Sequence, residues 1–151
     1  MSFDTASPYA ASYVIFRRGK KILFVLRSNT GWMDGHWGLP AGKVEKDETF
    51  RAGAMREARE EVGIKLKPEN LKFLHLAHRH AESDWVDVFF EAKKWEGEPT
   101  NAEPNVHGEI AWMDPDDLPK DVIPAIRFYL EQIQAGNLYS EFGWDTSKEV
   151  S

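Results

Sequence analysis

The stretch GKVEKDETFRAGAMREAREEVGI, from Gly42 to Ile64, constrains this chain more than any other. It reads as a short loop, about four turns of helix and a glycine stop. Asp47 is the expected N-cap, and Gly63 offers the left-handed conformation that ends many helices. At roughly 100° per residue, Ala54, Met55, Ala58 and Val62 share one apolar stripe. Glu57, Glu60 and Glu61 fall beside it on a separate arc of about 100°. The stripe is suited to a core and the arc is not.

Carboxylates three and four residues apart repel one another on a helix. One reading is a solvated face whose charge Arg56 and Arg59 offset. The other is that these oxygens converge on hard divalent cations such as Mg²⁺, which is held by a few carboxylates together with water and substrate phosphates.

The full spacing bears on that choice. Gly42, five residues, Glu48, seven residues and then Arg56-Glu57-Ala58-Arg59-Glu60-Glu61-Val62-Gly63-Ile64 resembles the Nudix box, G-x5-E-x7-R-E-U-x-E-E-x-G-U, where U is a bulky apolar residue. Ala58 is a small apolar occupant of one U position, and the other specified positions match. The resemblance implies an α/β fold, the Nudix α/β/α sandwich, in which a mixed β-sheet is flanked by helices. It implies hydrolysis of a nucleoside diphosphate linked to another group, by attack of water on phosphorus.

On this resemblance the catalytic work falls to Glu57, Glu60, Glu61 and Arg56. The three glutamates hold Mg²⁺, with Mn²⁺ as an alternative ion, and Arg56 positions a glutamate through its planar guanidinium. Glu48 is implied to be a structural or outer acid, Gly42 to let the backbone approach the metal, and Gly63 to end the helix. Upstream, WGLPAGKVE (Trp37 to Glu45) resembles the strand and turn that precede the box, with Ala41 replacing the first glycine of the usual Leu-Pro-Gly-Gly. The backbone carbonyl at Ala41 is implied as a further metal ligand, which an alanine can supply if the local backbone is not glycine-only. Arg27 matches a phosphate-contacting arginine. Glu103, in the loop after the turn Glu96-Gly97-Glu98-Pro99, matches a glutamate that binds metal or acts as the base.

Composition narrows the partners. Across 151 residues, 19 Lys and Arg against 25 Asp and Glu leave a formal charge of −6, which is not the footprint of a protein that coats nucleic acid. The absence of cysteine excludes disulfides, thiolate zinc sites and cysteine nucleophiles. With no long apolar run and no basic, apolar leader, the expectation is one cytoplasmic domain over residues 1–151 that contacts no membrane. Residues 1–10 and 137–151 are expected to be peripheral or flexible.

The remaining chain reads as a hairpin over Ser12 to Arg27, strands at Leu71–Leu76, Asp84–Trp95 and Ile110–Met113, and a helix from Pro119 or Asp121 to Ala135. In the 84–95 segment, Val86, Val88, Phe90 and Ala92 share one face and Trp85, Asp87, Phe89 and Glu91 the other. Trp37, Phe89 and Trp112 are candidate stacking surfaces for a base, although aromatic residues on strands more often belong to the core. His75, His78 and His80 read as surface or pocket histidines, and the loop after His80 as an overhang above the site. The tail aromatics Tyr139, Phe142 and Trp144 suit packing on the domain or on a second copy, so a homodimer stays open. The substrate expected is a small nucleotide: a nucleoside triphosphate cleaved to monophosphate and pyrophosphate, with ADP-sugars or dinucleoside polyphosphates as the alternative. A non-catalytic nucleotide-binding module is the alternative of another class.

Overall fold

The structure is a computed structural model that describes residues 4–145. Its elements in chain order are β1 (Tyr9–Arg18), β2 (Lys21–Arg27), β3 (Trp37–Gly38), β4 (Ala41–Lys43), α1 (Phe50–Val62), a 3₁₀ turn (Pro68–Asn70), β5 (Leu71–His80), β6 (Asp84–Ala92), β7 (His107–Met113), α2 (Pro124–Gln134) and β8 (Tyr139–Phe142).

One mixed sheet runs β3-β2-β1-β6-β5-β8, with β4 added to β1 and β7 to β2. Strand β1 is parallel to β6, and β5 to β8; the other pairs are antiparallel. The apolar runs in β1 and β2 are almost continuous because both faces of the sheet are covered. Val14, Phe16, Leu23 and Val25 join the core beneath α1, whereas Ile15, Ile22 and Phe24 join the core beneath α2. The same alternation sends Val88, Phe90 and Ala92 toward α1 and Phe89 toward α2.

Helix α1 starts later than the sequence suggests. Thr49 is the N-cap, extended at φ −77° and ψ 161°, and its side chain accepts from the Ala52 N–H. Asp47 lies outside the helix at φ 63°, within the loop that carries Glu48 to Arg56. Gly63 closes the helix at φ 70°, with its N–H on the Arg59 carbonyl and the Ile64 N–H on that of Ala58. Ser12 donates to the Phe50 carbonyl at 2.6 Å, pinning the first turn of α1 to β1.

Other boundaries also shift. Strand β5 continues to His80, because its pairing with β6 persists to Asp84. Strand β6 stops at Ala92. Helix α2 begins at Pro124, where a fixed φ and a missing N–H cost nothing. The peripheral regions contribute to the sheet: Tyr9 and Ala10 belong to β1, and Tyr139–Phe142 forms β8 against β5. His75 anchors that last pairing. It is fully buried, and its ring nitrogens lie 2.7 Å from the Asn137 carbonyl and 2.7 Å from Ser140 Oγ. It is therefore neither a surface nor a pocket histidine. Trp144 packs against His78 and His80, and the rest of the tail, residues 146–151, lies outside the described residues.

Candidate active site

Three of the acids meet on one guanidinium. Arg56 donates from Nε to Glu48 Oε2 at 2.8 Å and from a terminal nitrogen to Glu48 Oε1 at 3.0 Å, a two-point grip. Its other terminal nitrogen reaches Glu57 Oε1 at 2.8 Å and Glu60 Oε2 at 3.3 Å. A bond to the Lys43 carbonyl at 2.9 Å ties the cluster to β4. The one arc of the helical wheel divides in space: Glu57 and Glu61 are buried, while the Glu60 side chain is 45% exposed.

Gly42 lies against Glu57. A Cβ on Gly42 would stand 2.0 Å from Glu57 Oε1, so any side chain there would displace the carboxylate. The neighbouring Ala41 has no left-handed φ, which is why a side chain is tolerated. Its N–H donates to Glu61 Oε2 at 2.7 Å.

Glu103 reaches the same neighbourhood through the backbone. The N–H groups of Thr100 and Ala102 donate to the Val62 and Glu61 carbonyls, binding the loop to the unsatisfied end of α1. Asn101 supports it from within, accepting from the Glu103 N–H and donating to the His107 carbonyl. The proximity is electrostatic as well, because Glu103 adds to the upward pressure on both Glu57 and Glu61.

Burial dominates these carboxyls. It pushes Glu57 up to about 7, against the pull of Arg56 and with the help of Glu60 and Glu103. Glu61 is driven well above the carboxylate range by burial and then by Glu57. Burial and Glu60 raise Glu103, whereas the bonds from Arg56 hold Glu48 low. A buried, mutually repelling pair of oxygen donors fits a hard divalent cation, which would take the place of the protons that the pair otherwise attracts. Arg56 already engages Glu57 and Glu60, and among the described residues no three acidic or histidine side chains are gathered at ligand distance. Such a pair would supply only part of a coordination shell, leaving the rest to water and phosphate oxygens.

Glu61, Ala41 and Gly42 also line a cleft of about 630 Å³ that continues past Arg27, Tyr13 and Arg79 to Ile126 and Tyr129 of α2. Arg27 donates from Nε to the Trp32 carbonyl at 2.9 Å and lies 4.9 Å from the centre of the Trp32 ring. The loop after His80 borders this cleft through Ala81, Glu82 and Ser83. The candidate stacking surfaces do not, and two of the three take the core alternative. Trp37 and Phe89 are core residues, and Trp112 stacks on Trp95 beside Arg18, away from the cleft. The aromatic rings lining it include Trp32, 52% exposed, and Trp85, with Arg79 over its ring. Neither stands out by spacing.

Two further features escaped the sequence. Asp87 is fully buried and bonded to Arg79, with the Tyr129 hydroxyl donating to it at 3.4 Å. In strand β6 it is the sole acid on an otherwise aromatic face until Glu91, a signal that an alternating pattern conceals. His107 is 3% exposed, with Nε2 placed 3.8 Å from Glu61 Oε1. Burial and the nearby Arg27 push it down, keeping it neutral near pH 7.

The NUDIX domain family model matches residues 6–132 of this chain. The chain belongs to the Nudix family. A protein of Bacillus subtilis named "Uncharacterized Nudix hydrolase YvcI" is 30% identical over 108 residues, covering 69% of this chain and 65% of its own length. The 8-oxo-dGTP diphosphatase of Escherichia coli is 29% identical over 115 residues, covering 75% of this chain and 88% of its own. The first of these relatives is thus matched over just under two thirds of its length. In three dimensions, the MutT Nudix hydrolase of Burkholderia pseudomallei superposes with a TM-score of 0.76 at 32% identity, over 83% of this chain and 98% of that one. Its likeness extends to the mixed sheet flanked by helices. No helix among the described residues is long and apolar enough to cross a membrane.

Proposed function

We propose that this Nudix chain is a nucleotide pyrophosphohydrolase that uses Mg²⁺, with Mn²⁺ as an alternative, to cleave a nucleoside triphosphate to its monophosphate and pyrophosphate. The observation that carries this reading is the buried pair Glu57 and Glu61 beside a cleft of about 630 Å³. That volume is of the size that holds small ligands. The names of relatives support a phosphoanhydride substrate: one is an 8-oxo-dGTP diphosphatase and another, from Erythrobacter litoralis, an RNA pyrophosphohydrolase.

In this mechanism Glu57, Glu60 and Glu61 would hold the cation, with the Ala41 carbonyl as a further oxygen donor. Held there, a divalent cation would offset the charge of the polyphosphate and lower the pKa of water. Arg56 keeps Glu57 and Glu60 oriented, and Glu48 fixes Arg56 in turn. Arg27 donates to a phosphate at the cleft wall. Glu103, which burial and Glu60 incline toward accepting a proton, takes one from the attacking water. The cleft encloses the nucleoside and excludes bulk water from the anhydride.

The test is a panel of nucleoside triphosphates, ADP-sugars and dinucleoside polyphosphates, incubated with Mg²⁺ and assayed for nucleoside monophosphate and pyrophosphate. Expected is turnover of at least one triphosphate that stops with excess chelator. Preferential cleavage of ADP-sugars or dinucleoside polyphosphates would overturn the triphosphate assignment. Nucleotide binding with no product in any reaction would replace the enzyme by a binding module.

A further inference from the structure

We propose that His107 is a positioning residue for Glu61, aiming an Nε2–H at the carboxylate so that it stays ready to hold a divalent cation. This rests on the reading of Glu61 as a cation ligand. The tautomer follows from the surroundings. Nδ1 of His107 is buried with no hydrogen-bond partner, and Nε2 faces Glu61 Oε1 at 3.8 Å. A proton on Nδ1 would leave a buried donor without an acceptor and turn the Nε2 lone pair toward a carboxylate. A proton on Nε2 avoids both the bare donor and the opposed lone pair, leaving Nδ1 as a buried acceptor.

The separation exceeds a hydrogen bond, so the present contact is an electrostatic one. The remaining Glu61 oxygen is held, since Oε2 accepts from Ala41 at 2.7 Å. The carboxylate therefore faces N–H groups from two strands, β4 on one side and β7 on the other. His107 is fixed by its own backbone: its N–H donates to the Glu103 carbonyl at 2.9 Å and its carbonyl accepts from Asn101 at 2.8 Å. It thereby couples the Glu103 loop to the helix acids. Packing alone does not account for the imidazole, because an apolar side chain of similar size would bury no unpaired nitrogen.

The experiment is a titration of the full chain with Mn²⁺ alone, following free ion by electron paramagnetic resonance, for wild type, H107Q, H107F and E61Q, with thermal melts alongside. Glutamine keeps an N–H near the position of Nε2, and phenylalanine keeps the ring shape without it. Expected is an affinity for Mn²⁺ about 10-fold weaker in H107F and within about 3-fold of wild type in H107Q, in line with the outer partners of metal ligands. Wild-type affinity in H107F, or equal weakening in H107Q and H107F, overturns the proposal. If H107F does not fold, H107N takes its place under the same criterion, its amide lying near Nδ1. Undiminished binding in E61Q would remove the underlying cation reading, whereas weak E61Q with unaltered H107F removes only the role of His107.

Discussion

Arg56 and Arg79 are largely buried and each binds a carboxylate with a two-point grip, but their surroundings differ in charge balance. Arg79 donates from Nε to Asp87 Oδ2 at 2.7 Å and from a terminal nitrogen to Oδ1 at 3.3 Å, with Tyr13 and Tyr129 completing the set. That network pairs one cation with one anion along the inner wall of the cleft. Arg56 grips Glu48 in the same manner but also touches Glu57 and Glu60, with Glu61 buried just beyond. Several anions thus share one cation. The first arrangement satisfies itself, whereas the second leaves an excess of buried negative charge that calls for protons or for an external cation. The same two-point grip balances its charge in one place and leaves an excess in the other.

The sharpest test of this contrast is to remove the excess charge. Glu57→Gln and Glu61→Gln should each lower turnover by about 10³-fold or more, since a cation in such a site contributes several kcal/mol to the transition state. Their melting temperatures without metal should not fall, because each change removes a carboxylate that burial disfavours. Turnover and melting are measured on the same preparations. Retained activity in both variants would show that neither carboxylate holds a catalytic cation.

The closed network should respond in the opposite sense. Arg79→Met strands Asp87, which burial already pushes upward, and should cost about 3–5 kcal/mol in chemical denaturation. The concentration of Mg²⁺ giving half-maximal activity should stay as in wild type. A changed metal requirement would show that the two networks act together across the cleft that both border.

Glu103→Gln should lower kcat by about 10²-fold with little change in KM or stability, as for loss of a base from the attacking water. Steady-state kinetics at saturating metal check this, and an unaltered kcat would return the base to the helix acids.

The excess charge also predicts a pH dependence. The folded-state pKa of Glu57 lies near 7, above the ordinary 4.5, so the folded protein binds the extra proton. Its contribution to stability is complete below about 4.5 and is lost as pH rises through about 7, a change on the order of 1–3 kcal/mol. Melting curves without metal should therefore decline across that window, and Glu57→Gln should flatten them. A decline of the same size in the variant would assign the effect to other groups.

The smallest effect separates neighbours on α1. Arg56→Lys keeps the charge but loses the fork that spans Glu48 and Glu57, and activity should fall by about 10-fold. Arg59→Lys, on the exposed side, should change activity by less than about 2-fold. Equal losses would mark a general charge effect in place of a positional one.

The box helix and the identity of its acids were legible because a fixed spacing along one chain segment carries them. So were the two faces of β6, since alternation reports burial directly. The cap was not: Asp47 and Thr49 are both good caps by type, and the choice fell to the loop geometry that leads Glu48 to Arg56. The order of burial among Glu57, Glu60 and Glu61 likewise required the strand that covers two of them. Trp32 reached the cleft and Trp37 the core by how the chain after β2 returns to pair with it, whereas Trp85 reaches the cleft from β6. His107 met Glu61 because β7 pairs with β2 after a loop anchored to the end of α1. Helical period and motif spacing act within a few turns of chain, so residues alone determined the acids and their helix. Only the tertiary structure decided which of them are buried, what faces them and what can approach.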